Sequence, residues 1–267
     1  MKKSLSILLA IILVTSIMIT GCQANANNDK VIVVGASPEP HAQMLKLIAD
    51  DLEKEGYELK IIEFTDYVKP NLALAEKELD ANFFQHLPYL QDFNEKNNLD
   101  LVPLASIHIE PMGLYSNKFK SISELKDGAE IAIPNDTVNG NRALLLLEEN
   151  GLIKLKEDVG FDATEKDIVD NPKNLKITSL EAAQLPRALE DVDAAIINGN
   201  YALEAGLNPV KDAVILEKSN SPYANVVAVR KGEENNPKLQ ALVKALQSDE
   251  IKAFIEENYN GGVIPSF

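Results

Sequence analysis

The residues best equipped for chemistry in this chain gather at a few places. Asp80–Phe93, DANFFQHLPYLQDF, holds Phe83, Phe84, Tyr89 and Phe93 with His86, in a chain that has no tryptophan, 6% aromatic residues and three histidines. Ile131–Leu147, IAIPNDTVNGNRALLLL, sets Asn139 and Arg142 just after an apolar run. Asn198 in AAIINGNYA and Asn225 in SPYANVV stand at similar positions. An arginine presents a planar fork of N–H donors that grips a carboxylate at two points. Amide oxygens accept from an ammonium group. Rings make an apolar slot, and sulfur against a ring contributes roughly 0.3–1.5 kcal/mol per contact. One arginine, several amides and a ring-lined wall together suit a free amino acid. Each residue alone suits a structural role as well: rings as core, Arg142 as an exposed helix residue paired with an acid, each Asn as a cap or turn residue. Phe83 and Phe93 are the better core candidates, while Phe84, His86 and Tyr89 are expected on a cleft wall. The coincidence of several such junctions favours a binding site.

Other chemistries find less support. Nucleophilic catalysis needs Ser, Cys or Thr beside a positioned base. The sequence has no GxSxG elbow, and its many acids follow no pattern. No enzyme activity and no cofactor are expected. A metal-binding importer component can use three histidines and a carboxylate, and His41, His86 and His108 number three. No two are four residues apart and no His-rich loop exists, so no metal is expected. An adhesin or scaffold lipoprotein is a further alternative.

The elements that must position these residues read as alternating strands and helices. VIVVGAS at Val31–Ser37 has a buried-strand pattern, and Met44, Leu45, Ile48 and Leu52 then fall on one helical face. YELKIIEF is a strand, PNLALAEKEL a helix that tolerates Pro70 in its first turn, DANFF a strand, LPYLQDF a helix and LDLVPLASIHIE a strand. This alternation predicts a parallel sheet covered on both faces. After EPMGLYS the rhythm restarts: SISELKDG as a helix, AEIAIP as a strand, NGNRALLLLEENGL as a helix, NLKITSL as a strand, EAAQLPRALED as a helix and DAAIIN as a strand. NYALEAGL, DAVIL, YANVVAVRKG and the amphipathic PKLQALVKALQ complete the pattern. Two α/β units leave a cleft between them. Ligands gather there beyond the carboxyl ends of the strands, where helix N-termini offer unpaired N–H groups.

The N-terminus is a separate matter. Lys2 and Lys3 precede an apolar run from Leu5 to Ile19, the build of an export signal over residues 1–21. ITGC at Ile19–Cys22 resembles a bacterial lipobox, which implies cleavage before Cys22 and lipidation of its sulfur. Residues 22–30 are polar and small and read as a flexible tether. Cys22 is the one cysteine, so the fold is held by its core and not by an internal disulfide. Removing the two signal lysines takes the net charge from −15 to −17, which argues against nucleic acid as a partner.

The whole pattern resembles the MetQ/NlpA family of lipoproteins, the substrate-binding components of methionine ABC importers. DYVKPNLAL, DANFFQHLPYL, EPMGLYS, IAIPNDTVNGNRALLLL, NPKNLKI, AAQLPRAL, INGNYA and SPYANVVAVR all match family blocks, in family order from Val31 to the C-terminal GGVIP. DTVNGNR departs from the frequent DPTN wording but keeps the spacing from Asn139 to Arg142. The resemblance implies an α/β, bilobed periplasmic-binding-protein fold with parallel or mixed sheets and ligand in the interlobe cleft. It implies one lobe from residues 31–110 and 225–267 and another from 111–224, crossing near Glu110–Met112 and Tyr223–Asn225. Ligand contacts carry over to Tyr67, Phe84, His86, Tyr89, Asn139, Arg142, Asn198 and Asn225, with His86 as a hydrogen-bonding group and not a base. The implied ligand is methionine, its D-isomer or a methionine dipeptide. The implied partners are a permease and, through it, an ATPase, with the protein lipid-anchored on the extracytoplasmic face of the cell membrane.

Overall fold

The computed structural model describes residues 30–160, 162–218 and 221–267. The signal segment, Cys22 and the tether through residue 29 lie outside the described residues. Among the described residues no helix is long and apolar enough to cross a membrane.

The first lobe opens with β1 (Val31–Ala36), a strand buried at every position from Val33's neighbour Val34 onward. A turn at Pro38–Ala42 leads into α1 (Gln43–Leu47) and α2 (Ala49–Lys54). The Met44, Leu45, Ile48 and Leu52 stripe packs into the main core against Ile32, Val34 and Phe83, as a 3.6-residue period requires. β2 (Glu58–Glu63), α3 (Lys69–Ala75), β3 (Ala81–His86), α4 (Leu87–Asn97) and β4 (Leu101–Ile109) follow. Pro70 and Pro88 each occupy a first helical turn, where the missing N–H costs nothing. Asn98 ends α4 in the left-handed region at φ 52°, a conformation that asparagine tolerates.

The chain then crosses to a second sheet: β5 (Gly113–Tyr115), β6 (Glu130–Pro134), α5 (Thr137–Glu149), β7 (Lys154–Leu155), β8 (Ile168–Asp170), β9 (Lys176–Leu180), α6 (Leu185–Ala188), β10 (Ala194–Ile197), α7 (Gly199–Glu204), α8 (Pro209–Asp212) and β11 (Ile215–Leu216). It returns through β12 (Ala224–Arg230), α9 (Pro237–Leu246), α10 (Asp249–Tyr259) and β13 (Ile264–Pro265). The six-stranded sheet has the order β13-β4-β12-β3-β1-β2 and the five-stranded sheet β11-β5-β10-β6-β9. The second sheet carries apolar clusters on its two faces, one with Leu144 and Leu147 of α5 and one with Leu185 and Tyr201.

Four features differ from the sequence-based expectation. The sheets are mixed, as the family resemblance allowed, where the alternation of elements alone predicted a parallel sheet. β1, β2 and β3 are parallel, but β12 runs antiparallel to β3 and β4. It enters the first sheet from the cleft side, where the parallel strands leave it, so it must run the opposite way. SISELKDG forms only one 3-10 turn, Ile122–Glu124, and Leu125 is already extended; so short a segment cannot meet the cost of helix nucleation. EAAQLPRALED breaks into a 3-10 turn, Ala182–Gln184, and the four-residue α6, because Pro186 begins a new helix where it would interrupt a longer one. DEIKAFIEENY, for which no element was expected, forms α10, burying Ile251, Ile255 and Tyr259 at four-residue spacing behind the Ser248 cap.

Candidate functional site

β3 is buried along its whole length and delivers its side chains to alternate faces. Phe83 points into the main core. Phe84 points the other way and forms a ring cluster with Tyr89 and Phe93, with Tyr67 packed against it. Phe93 therefore backs the ring wall and is not part of the main core: its ring centroid lies 6.0 Å from that of Tyr89. His86 ends the strand and caps α4, its Nδ1 accepting from the Tyr89 amide at 3.2 Å. That bond fixes the tautomer: Nε2 carries the proton and donates to Asn139 Oδ1 at 3.1 Å. Burial, then the charge of Arg142, lowers the His86 pKa to about 3. The ring is a neutral donor throughout the physiological range, not a base.

The second lobe supplies the facing wall. Asp136 caps α5, accepting from the Asn139 amide at 2.9 Å and from its Nδ2 at 3.0 Å. The turn is tight, since a Cβ on Gly140 would come 2.9 Å from the Pro134 carbonyl oxygen. Asn139 Oδ1 is thereby turned away from its own cap, and it also accepts from Asn198 Nδ2 at 2.8 Å. Asn198 sits between β10 and α7, and its Oδ1 is buried without a partner among the described residues. Arg142, one turn beyond Asn139 on the same face, is only 4% exposed. It donates through Nε and Nη2 to Glu217 at 3.0 and 2.5 Å, and through Nη2 to the Glu110 carbonyl at 2.8 Å. Its guanidinium carbon lies 4.2 Å from the centroid of the Tyr223 ring. Nη1 makes no hydrogen bond to the described residues.

These walls close on a narrow cleft lined by rings on one side and by amides and a guanidinium on the other. Tyr67, Phe84, His86 and Tyr89 line it from one side and Asn139, Arg142 and Asn198 from the other, with Asn225 where β12 returns. All eight residues singled out in the sequence are thus at one place. Across the cleft Tyr67 donates to Asn200 Oδ1 at 2.5 Å, and Tyr201 to the Thr65 carbonyl at 3.2 Å.

The family model of the NlpA lipoproteins matches residues 32–267. The chain belongs to that family. The methionine-binding lipoprotein MetQ of Bacillus subtilis is 44% identical to it over 264 residues, 96% of each chain. The D-methionine-binding lipoprotein MetQ of Escherichia coli is 40% identical over 257 residues, 94% of each. A nutrient binding protein from Burkholderia cenocepacia, solved bound to methionine, superposes with a TM-score of 0.86 at 50% identity, covering 88% of this chain and all of that one.

In this NlpA lipoprotein the cleft also holds Gln85, Glu110, Gly199 and Asn200, none of which was singled out from the sequence. Glu110 was read only as part of an interlobe crossing. Its carboxylate is 5% exposed, and burial raises its pKa against the lowering influence of His41 and Arg142. Gly199 is needed beside it, because a Cβ there would lie 2.7 Å from the Glu110 Cβ. Among the described residues, the nearest thing to a metal site is His41, His108 and Glu110, each offering one atom within 4.8 Å of the others. The three histidines considered together in the sequence are split, since His86 belongs with Asn139.

Proposed function

We propose that this NlpA lipoprotein is the substrate-binding component of an ABC importer, capturing methionine or a close derivative and delivering it to a membrane permease and its ATPase. It is a binding protein and not an enzyme. The observation that carries the reading is the combination, in one buried cleft, of Arg142, the Glu110 carboxylate and the unpartnered Oδ1 of Asn198 beside the rings of Tyr67, Phe84 and Tyr89. Arg142 Nη1 answers a carboxylate. Glu110 and Asn198 answer an ammonium. The rings answer an apolar, polarisable side chain. The same eight residues, from Tyr67 to Asn225, are the proposed contacts. Relatives that bind methionine or D-methionine support the ligand class, and both isomers and a methionine dipeptide fall within it.

The lobes are proposed to divide at residues 110–111 and 224–225, and the protein to be held at the extracytoplasmic face of the membrane by lipid on Cys22. Mass spectrometry of small molecules released on denaturing the purified protein tests the reading. Methionine or a methionine-containing compound is the expected release. Release of an unrelated compound, together with no calorimetric signal for either methionine isomer or a methionine dipeptide, would defeat it.

A further inference from the structure

Glu110 directly follows β4 in an unusual setting. Both His41 Nε2 and His108 Nε2 reach the same carboxylate oxygen, Oε1, at 3.3 and 2.7 Å. The two imidazoles come from different elements, the Pro38–Ala42 turn and β4, and both are fully buried. Phe83 meets each ring edge-on, at centroid separations of 4.6 and 5.3 Å. The remaining contacts fix the protons. His41 Nε2 also faces Asn225 Oδ1 at 3.2 Å. A carboxylate and an amide oxygen only accept, so Nε2 carries the hydrogen, and the Ser37 hydroxyl donates to His41 Nδ1 across 3.1 Å. His108 likewise donates from Nε2 and leaves Nδ1 as a bare buried acceptor without a partner among the described residues. Two neutral imidazole N–H groups thus face one carboxylate oxygen: His108 donates to it directly, while His41 lies against it and shares its N–H with Asn225. The Asn200 backbone also hydrogen-bonds the carboxylate, and the Glu39 backbone the His41 ring.

We propose that His41 and His108 are positioning residues that hold the Glu110 carboxylate by Oε1, so that Oε2 meets the ammonium group of the ligand. This rests on the amino-acid reading of the cleft. Oε2 lies on the α7 side, where a Cβ on Gly199 would approach it to 3.0 Å. Burial keeps both imidazoles neutral, with pKa values of about 4 for His41 and about 3 for His108. Neutral donors place the carboxylate without cancelling its charge. A protonated histidine would form an internal ion pair and leave little for the ligand. Selectivity for a free amino group therefore depends on two residues that do not line the cleft.

The test is the ratio of affinities for methionine and for 4-(methylthio)butanoate, which is methionine with hydrogen in place of the ammonium group. Calorimetry would be run on the wild type and on Glu110→Gln, His41→Leu, His108→Leu and His108→Gln. His108→Leu should weaken methionine binding roughly ten- to a hundredfold, the scale of a charge-assisted contact, and leave the butanoate within about threefold of wild type. His108→Gln, which keeps an N–H donor, should recover most of the ratio. Equal losses for both ligands in the leucine variants would mean a merely structural role and overturn the proposal, as would an unchanged ratio. Should the leucine variants not fold, the ratio in His108→Asn, too short to reach Glu110, decides in the same way. One equivalent of zinc bound by the wild type and lost in His41→Leu would also overturn it, assigning the cluster to a metal. Failure of the wild type to bind methionine would defeat the functional reading. A ratio indifferent to Glu110→Gln would defeat the ammonium assignment and this proposal with it. Indifference to the histidine variants alone would defeat only this proposal.

Discussion

Arg142 carries the largest single expectation about binding. It is buried and lines the cleft, its Nε–Nη2 edge is held by Glu217, and Nη1 makes no hydrogen bond to the described residues. A ligand carboxylate deprived of its cation in such a place loses several kcal/mol. Arg142→Ala should therefore weaken methionine binding by roughly 2–4 kcal/mol, about thirty- to a thousandfold. Arg142→Lys should recover only part, because a point charge cannot use both Glu217 and the ligand as the planar fork does. Phe84→Ala should cost less and reduce the preference for methionine over alanine. Calorimetry on the three variants checks this, and near-wild-type affinity in Arg142→Ala would remove the clamp. The histidines give a second expectation. His41, His86 and His108 are lowered by burial from 6.5 to between about 3 and about 4. Below pH 6.5 the unfolded chain binds protons that the folded one does not, so stability falls as pH drops from 6.5 toward 4. Burial raises Glu204 to about 7; it binds its proton more readily when folded, and works in the opposite direction between pH 7 and 4.5. Burial raises the Glu110 and Asp136 carboxyls as well, and they oppose the histidines with Glu204. The histidine contribution is therefore read as a difference: the melting temperature of His86→Leu should lose less than that of wild type from pH 6.5 to pH 4.5, and an equal loss in both would contradict the burial of that imidazole.

At the scale of elements, the ring wall depends on how α3 is fixed to β3. A closed set of amides joins them. Asn71 donates to Gln85 Oε1 at 2.8 Å, and its own Oδ1 accepts from Asn82 at 2.8 Å and from Gln85 at 2.7 Å. All three side chains are buried. A satisfied network of this kind specifies one arrangement, whereas a broken one leaves polar groups without water. Asn71→Leu keeps the volume but strands the amides of Gln85 and Asn82. It should cost roughly 1–3 kcal/mol in chemical denaturation and also weaken methionine binding, because Tyr67 leads directly into α3. A variant as stable as wild type would show that the helix is held by apolar packing alone.

At the scale of the molecule, bonds across the cleft join the lobes: Tyr67 to Asn200, Tyr201 to the Thr65 carbonyl, His86 to Asn139, and Lys96 to the Thr137 hydroxyl. Few segments cross between the sheets, and a hinge needs only a few residues that absorb backbone rotation. A ligand that completes the contacts of both walls should therefore favour the closed form, and small-angle scattering should record a smaller radius of gyration at saturating methionine. An unchanged profile would count against closure while leaving binding intact. Anchoring is tested on the intact chain. Cys22→Ala should release the protein from the membrane fraction, since stable attachment takes more than one acyl chain. Retention equal to wild type would favour an uncleaved signal as the anchor.

Much of the site was legible in the residue order because its parts are local. Asn139 and Arg142 share a helix face by their spacing of three, Pro88 and the ring-rich stretch mark the junction of β3 and α4, and Asn198 and Asn225 stand beside apolar runs that become β10 and β12. Local periodicity and turn chemistry determine such positions, and the family resemblance ordered them into one cleft. The mixed direction of the sheets was not local, since it follows from where β12 re-enters. Nor were the acids. Glu110 and Glu217 are two among 41 acidic residues, with nothing in their neighbourhoods to separate them from solvated ones. What distinguishes them is burial and contact with partners remote in sequence, Glu217 with Arg142 across 75 residues and Glu110 with His41 from another element. A carboxylate acquires a role in a site through the dielectric around it and the donors that reach it, and tertiary packing alone sets both.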